Sequence, residues 1–595
     1  MPFRFLLLSF LLIAPSIVSL HAQELNHIVE TDVAVPMRDG IILRADVLRP
    51  KRGGPFPVLV YRTPYGKHEA PIDYKTFEHA VERGYAVVIQ DVRGRYKSDG
   101  EFRPYENEGL DGYDTIEWAA RQTWSDGAIG TFGLSYPGAV QWLAAVQNPP
   151  HLRAMVPAMT FSTPQNFFFA GGTWDMSWID WIWFNIEPDA RARRNLPGPK
   201  ASDEAAAAWK EEVPKMQRFL PLADLPQLKA TSPYYYDWLR HPAEDPWWDW
   251  AELRHKYERT HASVLNLSGW YDDNYGPEGA TTNFNGLVKS RAGQADPNTH
   301  LLIGPWVHGV DNTAKARSGE REFAPVSAIN YDEVVLRWMD HYLRGIDNGV
   351  DRDKPVRYFV MGSNEWREAT TWPPPATATP YYLAPAADPK IGALIPTKPN
   401  LPERFTAFVS DPADPVVNEY PSSGAHDYRK LADRSDALTF DTPPLERDTE
   451  VTGPIHANMF VACDCRDFDL WVRLLDVVPD GSAFNLMSPG LDVQRASYRD
   501  LKRGRQWLTP KTIYEINLNN LITSNTFLKG HRIRVQISAS FFPNFSRNLQ
   551  NGNSEVTSAD AKKVTIEVYS DAKHPSHIEL PMVAAQTQST IEAFR

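Results

Sequence analysis

The chain has 595 residues, of which 42% are hydrophobic and 23% charged, and its formal net charge is −12. The length corresponds to roughly three to four domains, and the composition excludes an intrinsically disordered protein. The acidic balance and the lack of a basic block argue against nucleic acid or an anionic membrane surface as a partner.

Residues 1–22 have the pattern of a secretory signal peptide. Arg4 supplies a positive charge, an apolar run from Phe5 to Ile13 follows, and Ala22 is a small residue at the expected cleavage site. The alternative is an uncleaved membrane anchor, although the apolar run is short for a membrane span. We therefore expect an exported protein, periplasmic or secreted, with no membrane contact after cleavage.

Residues 23–158 alternate strand-like and helix-like runs. Two β-rich runs flank Arg38-Asp39-Gly40 and predict a hairpin. The following runs predict strands at 58–61, 85–89 and 154–156, and helices at 76–83 and 113–121. This alternation predicts a parallel sheet with helices on both faces.

The stretch Gly133-Leu-Ser135-Tyr-Pro-Gly138 ends an apolar run and precedes an apolar-periodic helix. It has the form of a nucleophile elbow, in which a serine lies on a sharp strand-to-helix turn. The second glycine comes one residue later than in the strict Gly-x-Ser-x-Gly form, and Pro137 fits the first helical turn. Ser135 is the candidate nucleophile if a base and an orienting acid accompany it; the alternative is an ordinary Gly-Ser turn.

Residues 159–256 show no strand alternation and contain nine of the 19 tryptophans. Trp174, Trp178 and Trp181 follow helical spacing and would share one helix face. We expect a helical cap that buries most of its aromatic side chains in its own core. Trp174 and Trp178 are candidates for the wall of an apolar substrate pocket.

Residues 257–354 resume the strand and helix pattern and carry the other candidates for a triad. A strand-like run over Ser263–Leu267 leads into Asp272 and Asp273. The next strand leads into His308. On a parallel sheet that carries such an elbow, the acid and the histidine should follow the serine in this order, each after a strand. We expect His308 to be the base, Asp272 to orient it, and Asp273 to be the rival acid.

An oxyanion hole requires donors fixed beside the nucleophile. The first expected donor is the N–H of Tyr136, the residue after Ser135. The second should come from the loop after an early strand, residues 62–67, where the phenol of Tyr65 is a candidate. The alternative is that Tyr65 is an ordinary half-buried loop residue.

The C-terminal part, residues 355–595, has proline-rich turns between short β-rich runs such as Arg357–Val360 and Arg532–Ser538. It predicts an all-β sandwich or jelly roll. Cys463 and Cys465 are the only cysteines. We expect small buried thiols rather than a disulfide, because a bridge across this spacing within a strand would be strained, and two ligands alone make no zinc site.

Several motifs together carry a family resemblance. They are Met37-Arg-Asp-Gly40, Thr63-Pro-Tyr-Gly-Lys67, Asp91-Val-Arg-Gly-Arg95, Gly133-Leu-Ser-Tyr-Pro-Gly138, Gly269-Trp-Tyr-Asp272, Gly304-Pro-Trp-Val-His308, Phe359-Val-Met-Gly-Ser-Asn-Glu-Trp-Arg367, Val451-Thr-Gly-Pro454 and Leu475-Asp-Val-Val-Pro-Asp-Gly481. The chain resembles the cocaine-esterase and X-prolyl dipeptidyl-peptidase group of serine hydrolases, which includes α-amino-acid ester hydrolases and glutaryl acylases. The resemblance covers almost the whole chain after residue 22.

The resemblance implies an α/β-hydrolase sheet with an inserted helical cap and a C-terminal jelly roll. It implies Ser135, Asp272 and His308 as the triad, and Tyr65 as the second oxyanion donor. Relatives that prefer free α-amino acyl groups resemble one another in extra carboxylates near the site, and here only Asp273 follows Asp272 directly.

We therefore expect a serine hydrolase that cleaves ester or amide bonds of small acyl substrates through an acyl-enzyme on Ser135, without a metal or organic cofactor. An X-prolyl dipeptidyl-peptidase acting on short peptides is the alternative. A non-catalytic carbohydrate-binding protein is a third hypothesis, since jelly rolls serve as lectins. Three intact triad positions argue against it.

Overall fold

The computed structural model describes residues 27–292, 298–385, 391–420, 422–487 and 491–584. The expected signal peptide, residues 1–22, lies outside the described residues. Within the described ranges we find no helix that combines the length and the apolar character needed to cross a membrane.

The first part of the chain builds half of a large sheet, with helices on both of its faces. Its strands are β1 (His27–Pro36), β2 (Ile42–Pro50), β3 (Phe56–Thr63), β4 (Ala86–Asp91), β5 (Ser125–Leu134) and β6 (Leu152–Ala158). Its helices are α1 (Ala70–Asp73), α2 (Thr76–Glu82), α3 (Glu108–Ala120) and α4 (Tyr136–Ala145). β1 and β2 form the expected hairpin, and β3 to β6 pair in parallel.

The segment after β6 is mostly helical and matches the expected cap. Its elements are the two-residue strands β7 (Phe169–Ala170) and β8 (Thr173–Trp174) and the helices α5 (Ser177–Trp181), α6 (Glu187–Arg194), α7 (Ser202–Arg218) and α8 (Pro233–Arg240). Aromatic rings pack around Phe168, whose ring centroid lies 4.7 Å from that of Trp178 and 4.9 Å from that of Trp238. These rings belong to the same buried cluster as the apolar side chains of α3 and α4, so the aromatic core of the cap is continuous with that of the sheet domain.

The chain then returns to complete the sheet. The elements are β9 (Ser263–Tyr271), α9 (Gly276–Ser290), β10 (Thr299–Val307), β11 (Arg317–Ser318), β12 (Arg321–Glu322), α10 (Tyr331–Arg344), β13 (Val356–Val360) and β14 (Glu365–Ala369). The ten-stranded sheet has the order β1-β2-β4-β3-β5-β6-β9-β10-β13-β14. Helices α2 and α10 contribute to the apolar core on one face, and α3 and α4 to the core on the other.

The sheet extends past the residue where the sequence analysis began the C-terminal domain. β13 pairs with β10 in parallel and β14 pairs with β13 antiparallel. The run Arg357–Val360, which we assigned to the C-terminal domain, therefore belongs to the first sheet, and this corrects the assignment of residues 355–369. Val356, Phe359 and Val360 are fully buried, and near-continuous burial is typical of a central parallel strand rather than of a sandwich strand.

The rest of the described chain is all-β, as expected. Its strands are β15 (Thr377–Ala384), β16 (Ile391–Ile395), β17 (Phe405–Ser410), β18 (Leu438–Asp441), β19 (Thr449–Cys463), β20 (Asp469–Val477), β21 (Ala483–Asn485), β22 (Leu491–Arg495), β23 (Tyr514–Phe527), β24 (Arg532–Ser538), β25 (Val564–Tyr569) and β26 (His577–Met582). They form one hydrogen-bonded network of 12 strands. Its longest pairing joins β19 and β23.

The two cysteines are joined, which corrects the expectation of free thiols. Cys463 and Cys465 form a disulfide, and their Cα atoms are 5.1 Å apart. β19 ends at Cys463, so Cys465 lies in the bend after the strand and not on its face. The turning chain brings the Cα atoms within the range that a disulfide spans. The sequence argument was wrong because it extended the strand over both residues.

Candidate active site

The carboxyl ends of neighbouring parallel strands bring the predicted site residues to one edge of the sheet. β3, β5, β6, β9 and β10 lie side by side in that order. Tyr65 follows β3, Ser135 follows β5, Asp272 follows β9 and His308 follows β10. This edge is where ligands bind in open α/β sheets.

Ser135 lies on a sharp turn between β5 and α4, with φ 69° and ψ −125°. A positive φ is strained for a residue with a side chain, and such strain is concentrated at functional sites. A Cβ on Gly138 would lie 2.7 Å from the carbonyl oxygen of Ala158. Gly138 therefore lets α4 pack closely against β6, which explains why the second glycine of the elbow is displaced by one position.

His308 pairs with Asp272. Its Nδ1 lies 2.8 Å from Asp272 Oδ1, and the Asp272 side chain is fully buried. The backbone N–H of Asn274 donates to the same carboxylate oxygen at 3.2 Å. The rival carboxylate of Asp273 instead accepts a hydrogen bond from the Ser423 hydroxyl. The geometry thus favours Asp272 over Asp273 as the partner of His308.

The surroundings of His308 favour its protonated form. Burial lowers the pKa of His308, but the charge of Asp272, its hydrogen bond and the charge of Asp273 together raise the pKa above its ordinary value. Ser135 and His308 line the same cavity. In the described part of the chain the Ser135 hydroxyl makes no hydrogen bond to His308, and catalytic hydrogen bonds often tighten only when substrate is bound.

Ser135 lines one cavity together with Tyr65 and another together with Tyr275. Trp181 Nε1 donates to the Tyr65 hydroxyl at 3.1 Å. The Tyr136 N–H begins α4 and has no acceptor within the helix. Tyr65 and the Tyr136 amide are therefore donors beside the candidate nucleophile.

The loop that carries Tyr65 is held by the motif Asp91-Val-Arg-Gly-Arg95. Arg95 is almost completely buried, and its Nε donates to the Pro64 carbonyl at 2.8 Å. A terminal nitrogen of the same guanidinium donates to the Asn185 carbonyl of the cap at 2.7 Å. The backbone N–H of Lys67 donates to Asp91 Oδ1 at 2.7 Å. Arg95 thus ties the Tyr65 loop to the cap.

The side chain of Tyr136 fixes the first turn of α4 through buried hydrogen bonds. Its hydroxyl donates to Glu108 Oε1 at 2.8 Å and accepts the N–H of Tyr105 at 3.1 Å. Glu108 forms a buried ion pair of 2.9 Å with Arg62. Burying a charge is unfavourable unless it is paired and hydrogen-bonded, and this network satisfies both conditions.

Two cavities meet at Ser135. The first, of about 770 Å³, is lined by Phe167, Trp178, Trp181 and Tyr275. Its far wall comes from the C-terminal domain, residues 417–420, 422–424 and 542–544. The second, of about 1150 Å³, is lined by Tyr65, His308 and Trp181 among others. Ser135 is thus reached from two sides.

We predicted that Trp174 and Trp178 both line the substrate pocket, and the prediction is wrong for Trp174. Trp178 lines the first cavity, as expected, whereas Trp174 does not line it and is 3% exposed. Trp174 packs against Phe169 with ring centroids 5.4 Å apart. The helix begins only at Ser177, so Trp174 lies in β8 and the helical spacing does not extend to it.

Four residues with a carboxylate line the first cavity: Asp175, Asp180, Asp273 and Glu419. Burial raises the pKa of Asp175 to about 7; hydrogen bonds from Ser177 lower it, and the charges of Asp273 and Asp180 raise it. None of the four forms an ion pair with a Lys or Arg in the described ranges. Nor do they belong there to a group of His, Cys, Asp and Glu that could hold a metal ion.

The sequence argument missed three residues at the site: Tyr275, Asp175 and the role of Trp181. Tyr275 follows Asp272 by three residues in the same loop, so its position in the sequence was a usable signal. Asp175 precedes α5 on the cap, and no local pattern indicates that this segment folds back over the elbow. Trp181 stood in the helical pattern, but its contact with Tyr65 is a tertiary one.

Comparison with known proteins gives matches over most of the chain. Residues 39–310 match the model of the X-Pro dipeptidyl-peptidase (S15 family). Residues 348–579 match the X-Pro dipeptidyl-peptidase C-terminal non-catalytic domain. The cocaine esterase of Rhodococcus sp. (strain MB1 Bresler) is 34% identical over 589 residues, which cover 94% of this chain and 99% of that protein.

Solved structures share the fold along nearly the full length. An α-amino acid ester hydrolase superposes with a TM-score of 0.78 at 24% identity and covers 96% of this chain and 100% of its own. An aminopeptidase from a marine sediment Thaumarchaeota archaeon also has a TM-score of 0.78, at 23% identity, with 94% and 97% covered. At these identities the likeness concerns the fold.

Proposed function

The chain belongs to the S15 family of serine hydrolases together with cocaine esterase, and from this we propose that it cleaves ester or amide bonds of small acyl substrates through an acyl-enzyme on Ser135. One observation carries the proposal: a serine in a strained elbow lines the same cavity as a histidine that is 2.8 Å from a buried carboxylate. This is the geometry of a nucleophile, a base and an orienting acid.

In the proposed mechanism His308 takes the proton of the Ser135 hydroxyl while Oγ bonds to the substrate carbonyl carbon. Negative charge then develops on the carbonyl oxygen, where the Tyr65 hydroxyl and the Tyr136 N–H would donate hydrogen bonds. When the carbon–leaving group bond breaks, His308 gives its proton to the departing atom. Water repeats the sequence on the acyl-enzyme and releases the acid and Ser135.

The two cavities suggest how a substrate lies across Ser135. His308 must hand a proton to the leaving group, so the leaving group would occupy the 1150 Å³ cavity that His308 lines. The acyl group would then occupy the 770 Å³ cavity on the other side, against Trp178. Aromatic walls with a few polar groups are typical of small-molecule sites.

A second candidate function is an X-Pro dipeptidyl-peptidase or α-aminoacyl hydrolase. The observation that favours it is a set of four carboxylates on the wall of the acyl cavity that have no cationic partner among the described residues, namely Asp175, Asp180, Asp273 and Glu419. A cationic amine on the acyl group would neutralise them. Asp273 would then act on the substrate rather than on His308.

We also propose that the protein is exported. The pattern of residues 1–22 supports this, and so does the disulfide between Cys463 and Cys465, since disulfides persist mainly in oxidising compartments. The mass of the mature protein, recovered from fractionated cells, tests the proposal. A full-length cytosolic species with reduced thiols would contradict it.

The catalytic proposal is tested by intact-protein mass spectrometry after a fluorophosphonate probe, alongside p-nitrophenyl esters and Ala-Pro-p-nitroanilide. We expect one adduct on Ser135 and ester turnover, and neither in Ser135→Ala. Anilide release would favour the peptidase. An unmodified Ser135 with no turnover would reject the catalytic proposal and favour a binding protein.

A further inference from the structure

Trp181 contacts both residues proposed as oxyanion donors, although it belongs neither to the triad nor to the donor pair. It is the last residue of α5 on the cap. Its Nε1 donates to the Tyr65 hydroxyl at 3.1 Å, and its ring is parallel to that of Tyr136, with an interplanar angle of 5° and centroids 6.1 Å apart. It also lines both of the cavities that meet at Ser135. The cap thus reaches the proposed oxyanion hole through this side chain.

The direction of the hydrogen bond between Trp181 and Tyr65 is fixed by chemistry. An indole N–H donates and cannot accept, whereas a phenol has one proton and an oxygen that accepts. The Tyr65 oxygen is therefore the acceptor, and the phenol proton is left for a different partner. Tyr65 lines the same cavity as Ser135 and His308, so the carbonyl oxygen of a substrate on Ser135 is a suitable partner.

A hydrogen bond that a phenol accepts also makes its own O–H a better donor, because linked hydrogen bonds polarise one another. In the proposed transition state Tyr65 donates to an anionic oxygen, so the Tyr65 oxygen becomes more negative and its bond from Trp181 strengthens. In the ground state the carbonyl oxygen is neutral and the gain is small. The Trp181 N–H should therefore affect kcat more than substrate binding.

The backbone around Trp181 is linked to the loop that carries Tyr65. The Trp181 carbonyl accepts a hydrogen bond from the Asn185 side chain at 3.2 Å, and the Asn185 carbonyl accepts one from Arg95 at 2.7 Å. Arg95 donates in turn to the carbonyl of Pro64, directly before Tyr65. The cap therefore holds the loop backbone through Arg95 and the Tyr65 hydroxyl through Trp181.

We infer that Trp181 is a positioning residue of the oxyanion hole, whose indole N–H orients the Tyr65 hydroxyl so that the phenol proton points at the substrate carbonyl oxygen. The inference rests on the proposed function. In this role Trp181 acts on the reaction through Tyr65. The role can be separated from that of a cavity wall, because only positioning requires Tyr65 to keep its hydroxyl.

The test is a double-mutant cycle measured on a p-nitrophenyl ester. Trp181→Phe keeps an aromatic ring but removes the N–H, so kcat should fall by about three- to tenfold, the effect of one hydrogen bond. In the Tyr65→Phe protein there is no hydroxyl to orient, so adding Trp181→Phe should change kcat by less than about twofold. A residue that only walls the cavity would lower kcat by the same factor in both backgrounds.

Trp183→Phe is the matched control. Trp183 lies two residues further along the cap, is 4% exposed, and its Nε1 donates to the Ala205 carbonyl at 3.0 Å. Its replacement removes an indole hydrogen bond of similar length that does not involve Tyr65. The control should leave kcat within about twofold of the parent protein in both backgrounds.

The outcomes separate this inference from the proposed function. An unchanged kcat in Trp181→Phe, or an equal loss in both backgrounds, would overturn the role of Trp181, while a fluorophosphonate adduct on Ser135 in the same protein would leave the serine hydrolase intact. No adduct and no turnover in the wild-type protein would reject the proposed function and this inference with it. If Trp181→Phe does not fold, β-(3-benzothienyl)alanine in place of Trp181, which keeps the bicyclic ring and replaces the N–H with sulfur, decides by the same comparison.

Discussion

The backbone of Ser135 is strained, and the side chains that share its cavity include a phenol and an imidazole. Its φ of 69° lies in the left-handed region at the turn from β5 to α4, and Ser135 lines one cavity with Tyr65 and His308 and another with Tyr275. A serine in this conformation is retained only where the surrounding structure holds it in place. The proposed mechanism assigns each side chain around Ser135 to a different atom of the reaction, and single substitutions can test each assignment.

Tyr65→Phe should lower kcat by about 10² to 10³, with KM little altered. The phenol is expected to donate to an oxygen that becomes anionic only in the transition state, so its loss should leave ground-state binding unchanged. Steady-state kinetics on a p-nitrophenyl ester measures this. An effect on KM alone would remove Tyr65 from the oxyanion hole.

The pH dependence of kcat/KM should report His308. A base must be neutral to accept the Ser135 proton, so kcat/KM should rise with pH through the pKa of His308. That pKa lies above the ordinary 6.5 because Asp272 raises it. Asp272→Asn removes that charge. Burial then dominates, so the midpoint should move to lower pH, and kcat should fall by about 10³ to 10⁴. An unmoved midpoint would exclude Asp272 as the partner of the catalytic base.

At the scale of elements, the site depends on how closely α4 packs against β6. Gly138→Ala would place a Cβ 2.7 Å from the Ala158 carbonyl oxygen and 3.0 Å from Thr160 Cβ. Backbone cannot yield as a flexible side chain does, so the helix must shift. We expect a loss of about 1–3 kcal/mol in the free energy of unfolding together with a large loss of kcat, measured by denaturant unfolding and ester turnover.

Gly345→Ala is the control for that change. Gly345 caps α10 with φ 68° and has open space around its Cβ position. Its substitution should cost about 1 kcal/mol from backbone strain while kcat stays at the wild-type value. Equal effects of the two variants on kcat would contradict the assigned role of the α4–β6 contact.

Sequence periodicity predicted which segments along the chain form the strands of the sheet and the helices of the cap, because periodicity is a local signal. The strand-end positions of Asp272 and His308 followed from the parallel topology, so their place at one sheet edge could be anticipated. Trp174, the run 356–369 and the Cys463–Cys465 bridge were mistaken. For Trp174 and the bridge the outcome depends on where an element begins or ends, by one to a few residues. For the run 356–369 it depends on which sheet two strands join, and tertiary pairing decides this.

The contacts around Ser135 were harder to predict for a different reason. Tyr275 carried a signal, because it follows Asp272 by three residues in the same loop. Trp181 and Asp175 come from the cap, and no spacing in the chain indicates that they lie near Ser135. Arg95 illustrates the same point, since its motif was visible but its hydrogen bonds to the Tyr65 loop and to the cap were not.

At the scale of the whole molecule, the acyl cavity lies between three parts of the chain. The sheet supplies Ser135, the cap supplies Trp178 and Asp175, and the C-terminal domain supplies Ser423. The C-terminal domain therefore lines the cavity that we propose for the acyl group, although it holds none of the proposed catalytic residues. A substitution in that domain should change substrate preference without changing the reactivity of Ser135.

Ser423→Ala tests this division. The Ser423 hydroxyl donates to Asp273. Burial raises the pKa of Asp273, and the Ser423 hydrogen bond lowers it. Without that donor a larger fraction of Asp273 is neutral, so kcat/KM for a p-nitrophenyl α-aminoacyl ester should fall by about three- to tenfold relative to its uncharged isostere. Fluorophosphonate inactivation of Ser135 should keep its rate.

Ser422→Ala is the matched control for Ser423→Ala. Ser422 lines the same cavity, but within the described ranges its side chain makes no hydrogen bond to a carboxylate. It should leave both the preference and the inactivation rate unchanged. A parallel loss for charged and uncharged acyl groups in Ser423→Ala would mean that the domain shapes the cavity sterically. A loss confined to the charged ester would mean that it tunes a carboxylate, so that a domain outside the catalytic fold sets the charge of the acyl site.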